Sequence, residues 1–156
     1  MEDLRLTRAP VVETGMLIRR PVEVVFEAFV DPAVTTRFWF TRGSGRLEEG
    51  RQVRWDWEMY GISVPVDVKA VEPGQRILIE WPGSAGPATV EWSFKPLGGS
   101  TFVVITSRGF GGDGDAMVKE ALDSMQGFSL LLAGAKAFLE HGIELRLVAD
   151  HSPEGL

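Results

Sequence analysis

The sequence contains no cysteine among its 156 residues and only two histidines. Without cysteine the chain forms neither disulfide bonds nor thiolate-based zinc or iron–sulfur sites, and it offers no thiol nucleophile. His141 and His151 are too far apart to form an H-x-x-x-H pair, so the sequence indicates no metal site. No stretch approaches the ~20 consecutive apolar residues that cross a bilayer, so we expect no membrane segment.

Basic charge is also scarce. The sequence has 16 Lys and Arg residues and 22 Asp and Glu residues, which gives a net charge of -6. This balance disfavours nonspecific nucleic-acid binding, which needs a basic surface to release phosphate counterions. Residues 1–10 lack the basic start and apolar run of a secretory signal, so a cytoplasmic location is expected.

The length favours one domain over residues 1–156, and 44% of the residues are hydrophobic, which is typical of a globular protein. We expect the folded core to span about residues 11–141. Residues 142–156, which include the polar stretch "ADHSPEGL", are expected to form a loose C-terminal tail.

The first part of the chain predicts one strand and two short helices. Residues 11–20 read as a strand. Pro21 suits the first turn of a helix, whose apolar residues follow at helical spacing until Asp31-Pro32 ends it. Residues 32–40 predict a second short helix, and "TRGSG" after it predicts a turn.

The middle of the chain alternates between apolar and polar residues, as in "VRWDWEMY" at 53–60, where Val53, Trp55, Trp57 and Met59 share one face. Such alternation indicates strands with one dry face. We predict strands at 51–59, 62–71, 75–81, 87–95 and 100–108. The separators are short and rich in Gly or Pro, which favours antiparallel hairpins.

One long helix is predicted at about 113–141, because apolar residues recur every three or four positions. Asp113 or Asp115 can cap its start, and Gly142 suits its end. The prediction is therefore an α+β fold. A curved antiparallel sheet wraps around a long C-terminal helix, and two short helices follow the first strand.

Two segments carry a family resemblance: "RRPVEVVFEAFVDP" with "RFWF" shortly after it, and "GFSLLLAGAKAFLEHG" near the end. The first is similar to a Pro-x-x-x-Val-(Phe/Trp)-x-Ala-(Phe/Leu)-x-Asp-Pro start, and the second to a closing Gly-(Trp/Phe)-x-x-x-Leu-x-x-Leu-Lys helix. Ala135 stands where Leu is common. The chain thus resembles the START-like (SRPBCC, Bet v 1-like) superfamily with the helix-grip fold. It looks closest to the branch named after the activator of the heat-shock protein 90 ATPase, which is related to polyketide cyclases.

The resemblance implies the helix-grip fold but not one chemistry, because such folds host ligand carriers, cyclases, hydrolases and chaperone regulators. We expect a domain that binds a hydrophobic or amphipathic small molecule between the sheet and the C-terminal helix, with no cofactor. The alternatives are a protein-interaction module of the chaperone-regulator kind, and an enzyme of cyclase or hydrolase type. About ten residues precede the first strand, so we do not expect the additional N-terminal domain of the full co-chaperone. A homodimer is a further option.

The candidate ligand-binding residues are the aromatic and methionine side chains that could line a partly empty apolar cavity, together with one arginine. Arg108 ends a strand and could hold a carboxylate ligand. An enzyme would need a polar group in the cavity, for which Glu58 and Glu80 are the other candidates. The ligand-binding candidates are Phe26, Trp39, Trp55, Trp57, Met59, Trp81, Trp92, Arg108, Phe110, Met117, Met125 and Phe128.

Glycines raise two further questions. "GFGGDG" at 109–114 matches G-x-G-x-x-G, but an antiparallel meander precedes it and no second strand follows the helix, so a dinucleotide site is disfavoured. The segment reads better as a flexible turn, or as a cavity lip plugged by Phe110. Gly127 and Gly134 lie on one side of the long helix, where each costs about 1 kcal/mol relative to alanine. Close approach of another backbone, room for a ligand, or dimer packing could each offset that cost.

Overall fold

A computed structural model describes residues 4–155 of the chain. The predicted strands and helices occur in the predicted order, and β2 and α4 are additional elements. The strands are β1 Val12–Ile18, β2 Arg42–Gly43, β3 Gln52–Trp57, β4 Ile62–Glu72, β5 Arg76–Gly83, β6 Gly86–Leu97 and β7 Ser100–Arg108. The helices are α1 Val22–Val30, α2 Pro32–Thr35, α3 Gly114–His141 and α4 Leu147–Asp150.

The described strands form one antiparallel sheet in the order β1-β7-β6-β5-β4-β3-β2. Consecutive strands from β3 to β7 are neighbours joined by short turns, as the alternation and the Gly- and Pro-rich separators predict. The long helix α3 and the two short helices after β1 complete the helix-grip fold. The α+β prediction is therefore confirmed.

Two local predictions differ from the structure. The second helix was predicted over 32–40, but α2 ends at Thr35, and the chain continues as a turn that points Trp39 and Phe40 into the core. Arg42–Gly43, predicted as part of a turn, pairs with Asp56 and Trp55 as the edge strand β2. Both differences depend on contacts with β3, which a local pattern does not encode.

Helix α3 starts and stops at residues suited to those positions. The Asp113 side chain accepts a hydrogen bond from the amide of Ala116 at 2.8 Å, which satisfies one free donor of the first turn. Gly142 ends the helix at φ +69°, a left-handed conformation that favours glycine. The apolar stripe of α3 is buried against the sheet.

The same helix also covers the outer edge of the sheet. Lys136 Nζ donates to the carbonyl of Leu17 at 2.7 Å, and the Glu140 carboxylate accepts from the amide of Arg19 at 2.9 Å. Helix α3 side chains therefore satisfy backbone groups that an uncovered β1 edge would leave open to another chain.

The sheet parts between β4 and β5. Their pairing begins at Asp67 and Glu80, so the first five residues of β4 have no partner on β5. Trp81–Gly83, at the end of β5, pair only with β6. Pro65 and Pro82 lie at the fork, and proline has no amide N–H that could be left without a partner. Trp81 stands at this opening.

The C-terminal segment does not match the expected loose tail. Residues 147–150 form α4, which packs against α3, and Pro153–Gly155 pack against the helical turn at Glu58–Tyr60. The Tyr60 hydroxyl donates a hydrogen bond to the carbonyl of Val148, and Val148 packs on the hydrophobic core. Arg37 and Glu144 form an ion pair at 3.6 Å. This segment reaches back over the open end of the fold.

Among the helices of residues 4–155, none combines the length and apolar character that a membrane crossing requires.

Candidate ligand-binding site

Trp39 is the centre of an aromatic cluster on the concave face of the sheet. It follows α2 and is 8% exposed. Its ring centroid lies 4.9 Å from that of Trp55, 5.6 Å from Trp57, 5.8 Å from Trp92 and 6.3 Å from Trp81. Most of these pairs meet edge to face or tilted, as aromatic quadrupoles prefer. All five tryptophans of the chain therefore form one cluster.

A cavity of about 280 Å³ opens beside this cluster, between α3 and the end of the sheet where β4 and β5 part. Trp81 stacks on Phe128 of α3, with centroids 6.1 Å apart and ring planes 15° apart. The volume is slightly below the range of about 300 to 1,000 Å³ that is typical of ligand sites. The lining residues are Trp39, Trp57, Tyr60, Ile62, Trp81, Ser124, Gly127, Phe128, Leu130, Val148 and His151. We call this space the indole cavity.

The two glycines of α3 have different surroundings. A Cβ added at Gly134 would lie 3.3 Å from both Cβ and the carbonyl oxygen of Phe38, so this glycine permits close approach of the segment after α2. A Cβ added at Gly127 would meet no atom within 4 Å, and Gly127 lines the indole cavity. Close approach of another backbone thus accounts for Gly134, whereas Gly127 borders open space.

Few polar groups reach the indole cavity. Tyr60 and His151 lie near its C-terminal wall, and both contact the carbonyl of Val148; His151 Nδ1 is 2.7 Å from that oxygen. Ser124 lies on the α3 side. The remaining lining groups are apolar side chains and Gly127, so the site can desolvate an apolar molecule while leaving a few groups to orient it.

Four of the predicted ligand residues meet in the indole cavity: Trp39, Trp57, Trp81 and Phe128. Trp55 and Trp92 lie behind them, at most 2% exposed, and act as core. The Nε1 atom of Trp92 is the one buried side-chain N or O atom of the described residues without a hydrogen-bond partner.

Three predicted residues pack elsewhere in the interior. Phe26 of α1 meets Phe94 edge to face at 5.0 Å and lines a different recess. Phe110 is buried in the glycine segment before α3. Met117 packs on the core from the first turns of α3. None of the three lines the indole cavity.

The other three are at the surface. Met59 is 39% exposed because β3 ends at Trp57 and residues 58–60 turn, so the predicted alternation through Met59 is wrong. Met125 is 37% exposed on the outer side of α3. Arg108 is exposed at the end of β7, and among the described residues its side chain forms no hydrogen bond or ion pair.

Sequence reasoning missed the C-terminal wall. Val148 and His151 were assigned to a tail, and no pattern in that segment indicates a return to the sheet. Ser124, Leu130 and Ile62 were not singled out either. Tyr60 had a weak signal, as a polar aromatic residue at the end of an alternating strand, but its side chain points inward only because the chain turns at Glu58.

Charged groups with perturbed pKa values lie outside the indole cavity. A hydrogen bond with Glu27 raises the pKa of Arg46, and one with Glu91 raises the pKa of Arg76. The amide of Arg19, followed by the Lys136 ammonium, lowers the pKa of Glu140. Arg46 and Arg76 form ion pairs, and Glu140 binds the end of the β1 edge.

The carboxylates considered for an enzyme do not reach the indole cavity. Glu58 and Glu80 border other recesses of the surface. Residues 4–155 hold no group of three His, Asp or Glu side chains arranged to bind a metal ion.

A larger recess of about 820 Å³ lies between α1 and the hairpin that joins β4 to β5. Its floor contains Phe26 and Phe94, while the charged residues Glu23, Glu27, Arg46 and Glu48 also line it. It lacks the facing aromatic rings that would sequester an apolar molecule. We therefore take the smaller indole cavity as the functional candidate.

A sequence profile of the family described as "Activator of Hsp90 ATPase homolog 1-like protein" matches residues 19–140. The chain belongs to this family. The match begins directly after β1, runs from α1 through almost all of α3, and stops before the segment that carries Val148 and His151. Among curated proteins, none matches the sequence closely enough to indicate a relative.

Solved structures share this fold. Protein SSP2350 from Staphylococcus saprophyticus is 32% identical, with a TM-score of 0.76 over 88% of this chain and 96% of that one. The Aha1 dimer from Colwellia psychrerythraea is 16% identical, with a TM-score of 0.73 over 85% and 98% of the two chains. CalU16 from Micromonospora echinospora is 18% identical, with a TM-score of 0.69 over 93% and 83%. The last two likenesses indicate the shared fold.

Proposed function

We propose that this member of the Hsp90-activator-like family binds an apolar or amphipathic small molecule in the indole cavity. The observation that carries the proposal is the open space in front of Gly127, which faces the rings of Trp39, Trp57 and Trp81. A helix glycine costs about 1 kcal/mol relative to alanine, and at this position no neighbouring atom requires it. Space for a ligand accounts for the glycine.

The physical basis of binding is desolvation. Each 100 Å² of apolar ligand surface removed from water contributes about 2.5 kcal/mol before the cost of immobilising the ligand. Indole rings that meet edge to face or tilted leave ring faces and edges for a flat molecule to contact. The cavity therefore suits a compact ligand with one or a few rings more than a long acyl chain.

The test uses Gly127 as a blocking position. Gly127→Leu fills the cavity from the helix side, while Gly127→Ala adds only the methyl group that has open space around it. Ligand binding is followed by the change in tryptophan fluorescence and by thermal shift, with a panel of aromatic polyketides, fatty acids and lipids. We expect compounds of a ring-containing class to raise the melting temperature of the native protein and of the alanine variant. The same compounds should leave the melting temperature of the leucine variant unchanged.

The leucine variant also keeps the experiment interpretable, since replacing a helix glycine raises helix propensity. It should fold at least as stably as the native protein, so lost binding would reflect a filled cavity. Equal binding by the native protein and Gly127→Leu, or no binding by any class to the native protein, would contradict the proposal.

A second candidate function is self-association through the outer face of α3. Leu122 is 65% exposed and Met125, three residues later on the same helix face, is 37% exposed. The structurally similar Aha1 from Colwellia psychrerythraea is described as a dimer. Light scattering after size-exclusion chromatography should give a dimer mass that Leu122→Glu reduces to a monomer. A monomer mass for the native protein would end this candidate.

The chaperone-regulator and enzyme alternatives stay predictions. The family description mentions the Hsp90 ATPase, so a pull-down with that chaperone is the direct test of the first. An enzyme would need a reactive polar group facing the ligand. The indole cavity offers Tyr60, Ser124 and His151 as polar side chains but no carboxylate among its lining residues.

A further inference from the structure

The wall of the indole cavity nearest the C-terminus comes from a segment that the family profile does not include. The profile ends at residue 140, whereas Val148 and His151 lie beyond it and line the cavity. The Tyr60 hydroxyl ties this segment to the rest of the fold, because it donates a hydrogen bond to the carbonyl of Val148. His151 Nδ1, in the same segment, lies 2.7 Å from that carbonyl oxygen.

The contact of His151 with that carbonyl decides its tautomer. A carbonyl oxygen only accepts hydrogen bonds, so Nδ1 must carry a hydrogen. The other ring nitrogen, Nε2, is then an acceptor in the neutral imidazole and a donor in the imidazolium. No side chain or backbone group within residues 4–155 forms a hydrogen bond with Nε2. His151 thus brings a free polar atom to the rim of an apolar cavity.

Ser124 supplies a second free group. Its side chain is partly buried on α3, lines the same cavity, and makes no hydrogen bond with the described residues. A serine hydroxyl in a helix often bonds to a backbone carbonyl one turn earlier. Here it leaves both its donor and its acceptor capacity for another partner.

We infer that the indole cavity takes a planar, ring-containing molecule that bears a hydroxyl group, and that His151 and Ser124 hold this hydroxyl at the rim. The inference rests on the function proposed above and names the ligand class. A hydroxyl both donates and accepts, so it suits His151 in either protonation state and the serine hydroxyl as well. The ring body would lie among Trp39, Trp57, Trp81 and Phe128, where an apolar lining excludes water.

The test compares two probes that share one ring system, 2-naphthol and 2-methylnaphthalene. Binding to the full-length protein is measured by fluorescence titration, and the quantity of interest is the ratio of the two dissociation constants. We expect the native protein to prefer 2-naphthol roughly two- to tenfold, the factor that one neutral hydrogen bond supplies. His151→Phe and Ser124→Ala should each bring this ratio towards one.

Two control variants separate the loss of the hydroxyl contact from a general change in the cavity wall. His141→Phe changes the other histidine, which is exposed at the end of α3 and does not line the cavity, so it should leave the ratio unchanged. Tyr60→Phe removes one hydrogen bond to Val148 but neither proposed anchor, so it should weaken both probes about equally.

The outcomes distinguish this inference from the proposed function. If both probes bind and the ratio is near one in the native protein, or is the same in His151→Phe and Ser124→Ala as in the native protein, the hydroxyl anchor is wrong while the binding function stands. If neither probe nor any compound of the earlier panel binds the native protein, both are wrong.

Discussion

Trp39 gains its role from its neighbours and not from its local sequence. The segment "RFWF" would place its aromatic residues on several sides of a helix, but α2 ends at Thr35 and the following turn directs Phe38, Trp39 and Phe40 into the core. Trp39 then contacts tryptophans from β3, β5 and β6. One residue after a short helix therefore joins three strands and forms one side of the indole cavity.

Glu140 is the residue for which the structure predicts a pH effect. Its carboxylate accepts hydrogen bonds from the Arg19 amide at 2.9 Å and from Lys136 Nζ at 2.6 Å, and its side chain is 9% exposed. These bonds favour the charged form and lower its pKa, against a smaller opposing effect of burial. In the unfolded chain, a glutamate titrates near pH ~4.3.

Because the pKa of Glu140 is lower in the folded than in the unfolded state, the carboxylate stabilises the fold above the unfolded value. This stabilisation is lost as the pH falls through the lowered folded pKa. We expect Glu140→Gln to lower the free energy of unfolding by about 1 kcal/mol near neutral pH and to make the acid side of the stability profile less steep. Urea denaturation across the acid range measures both effects.

Glu144→Gln provides a matched control, since Glu144 is 46% exposed and its ion pair with Arg37 is 3.6 Å long. Exposed pairs contribute little, so this variant should keep the native profile. An acid limb of Glu140→Gln that runs parallel to that of the native protein would show that Glu140 is not responsible for the slope.

Helix α3 has three separate tasks along its 28 residues. Its buried stripe packs on the sheet, its last turns satisfy the β1 edge through Lys136 and Glu140, and its middle forms one side of the indole cavity. The glycines mark two of the places where backbone spacing matters: Gly134 touches Phe38, and Gly127 faces open space.

The contrast between these glycines gives a prediction for the helix as an element. Gly127→Ala should raise the free energy of unfolding by up to about 1 kcal/mol, because the methyl group meets nothing and helix propensity improves. At Gly134 the same methyl group would press on Cβ and the carbonyl of Phe38 at 3.3 Å, which offsets the gain. Thermal unfolding of both variants measures the difference, and equal gains would refute this account of the two positions.

At the scale of the whole molecule, we propose that residues 4–155 unfold as one cooperative unit. The long helix is bonded to β1, the aromatic cluster joins β3, β5 and β6 to the segment after α2, and the C-terminal segment is bonded to Tyr60. Unfolding of the long helix, the aromatic cluster or the C-terminal segment would therefore expose the surface of the element on which it packs.

Two probes test this cooperativity. Tryptophan fluorescence reports on the single cluster that contains all five tryptophans, and far-ultraviolet circular dichroism reports on α3 and the sheet together. We expect the two urea transitions to coincide, as two-state unfolding requires. A fluorescence transition at lower urea than the circular dichroism transition would indicate that the aromatic end opens separately.

Local patterns in the sequence determined the strands other than β2, the hairpin turns, the long helix and its two end residues, because each depends on residues within a few positions of one another. The resemblance of residues 19–32 and 127–142 added the family and the fold. Four of the cavity residues, Trp39, Trp57, Trp81 and Phe128, followed from the same reasoning about aromatic residues on a dry face.

Tertiary structure alone decided which aromatics remain at the cavity and which are core. Trp55 and Trp57 have the same pattern in the sequence, yet only Trp57 lines the space left where β4 and β5 part. The turn after Trp57 moved Met59 to the surface, and the return of residues 147–151 brought Val148 and His151 to the site. These outcomes depend on contacts between residues as far apart as Tyr60 and Val148, and no local periodicity records such contacts.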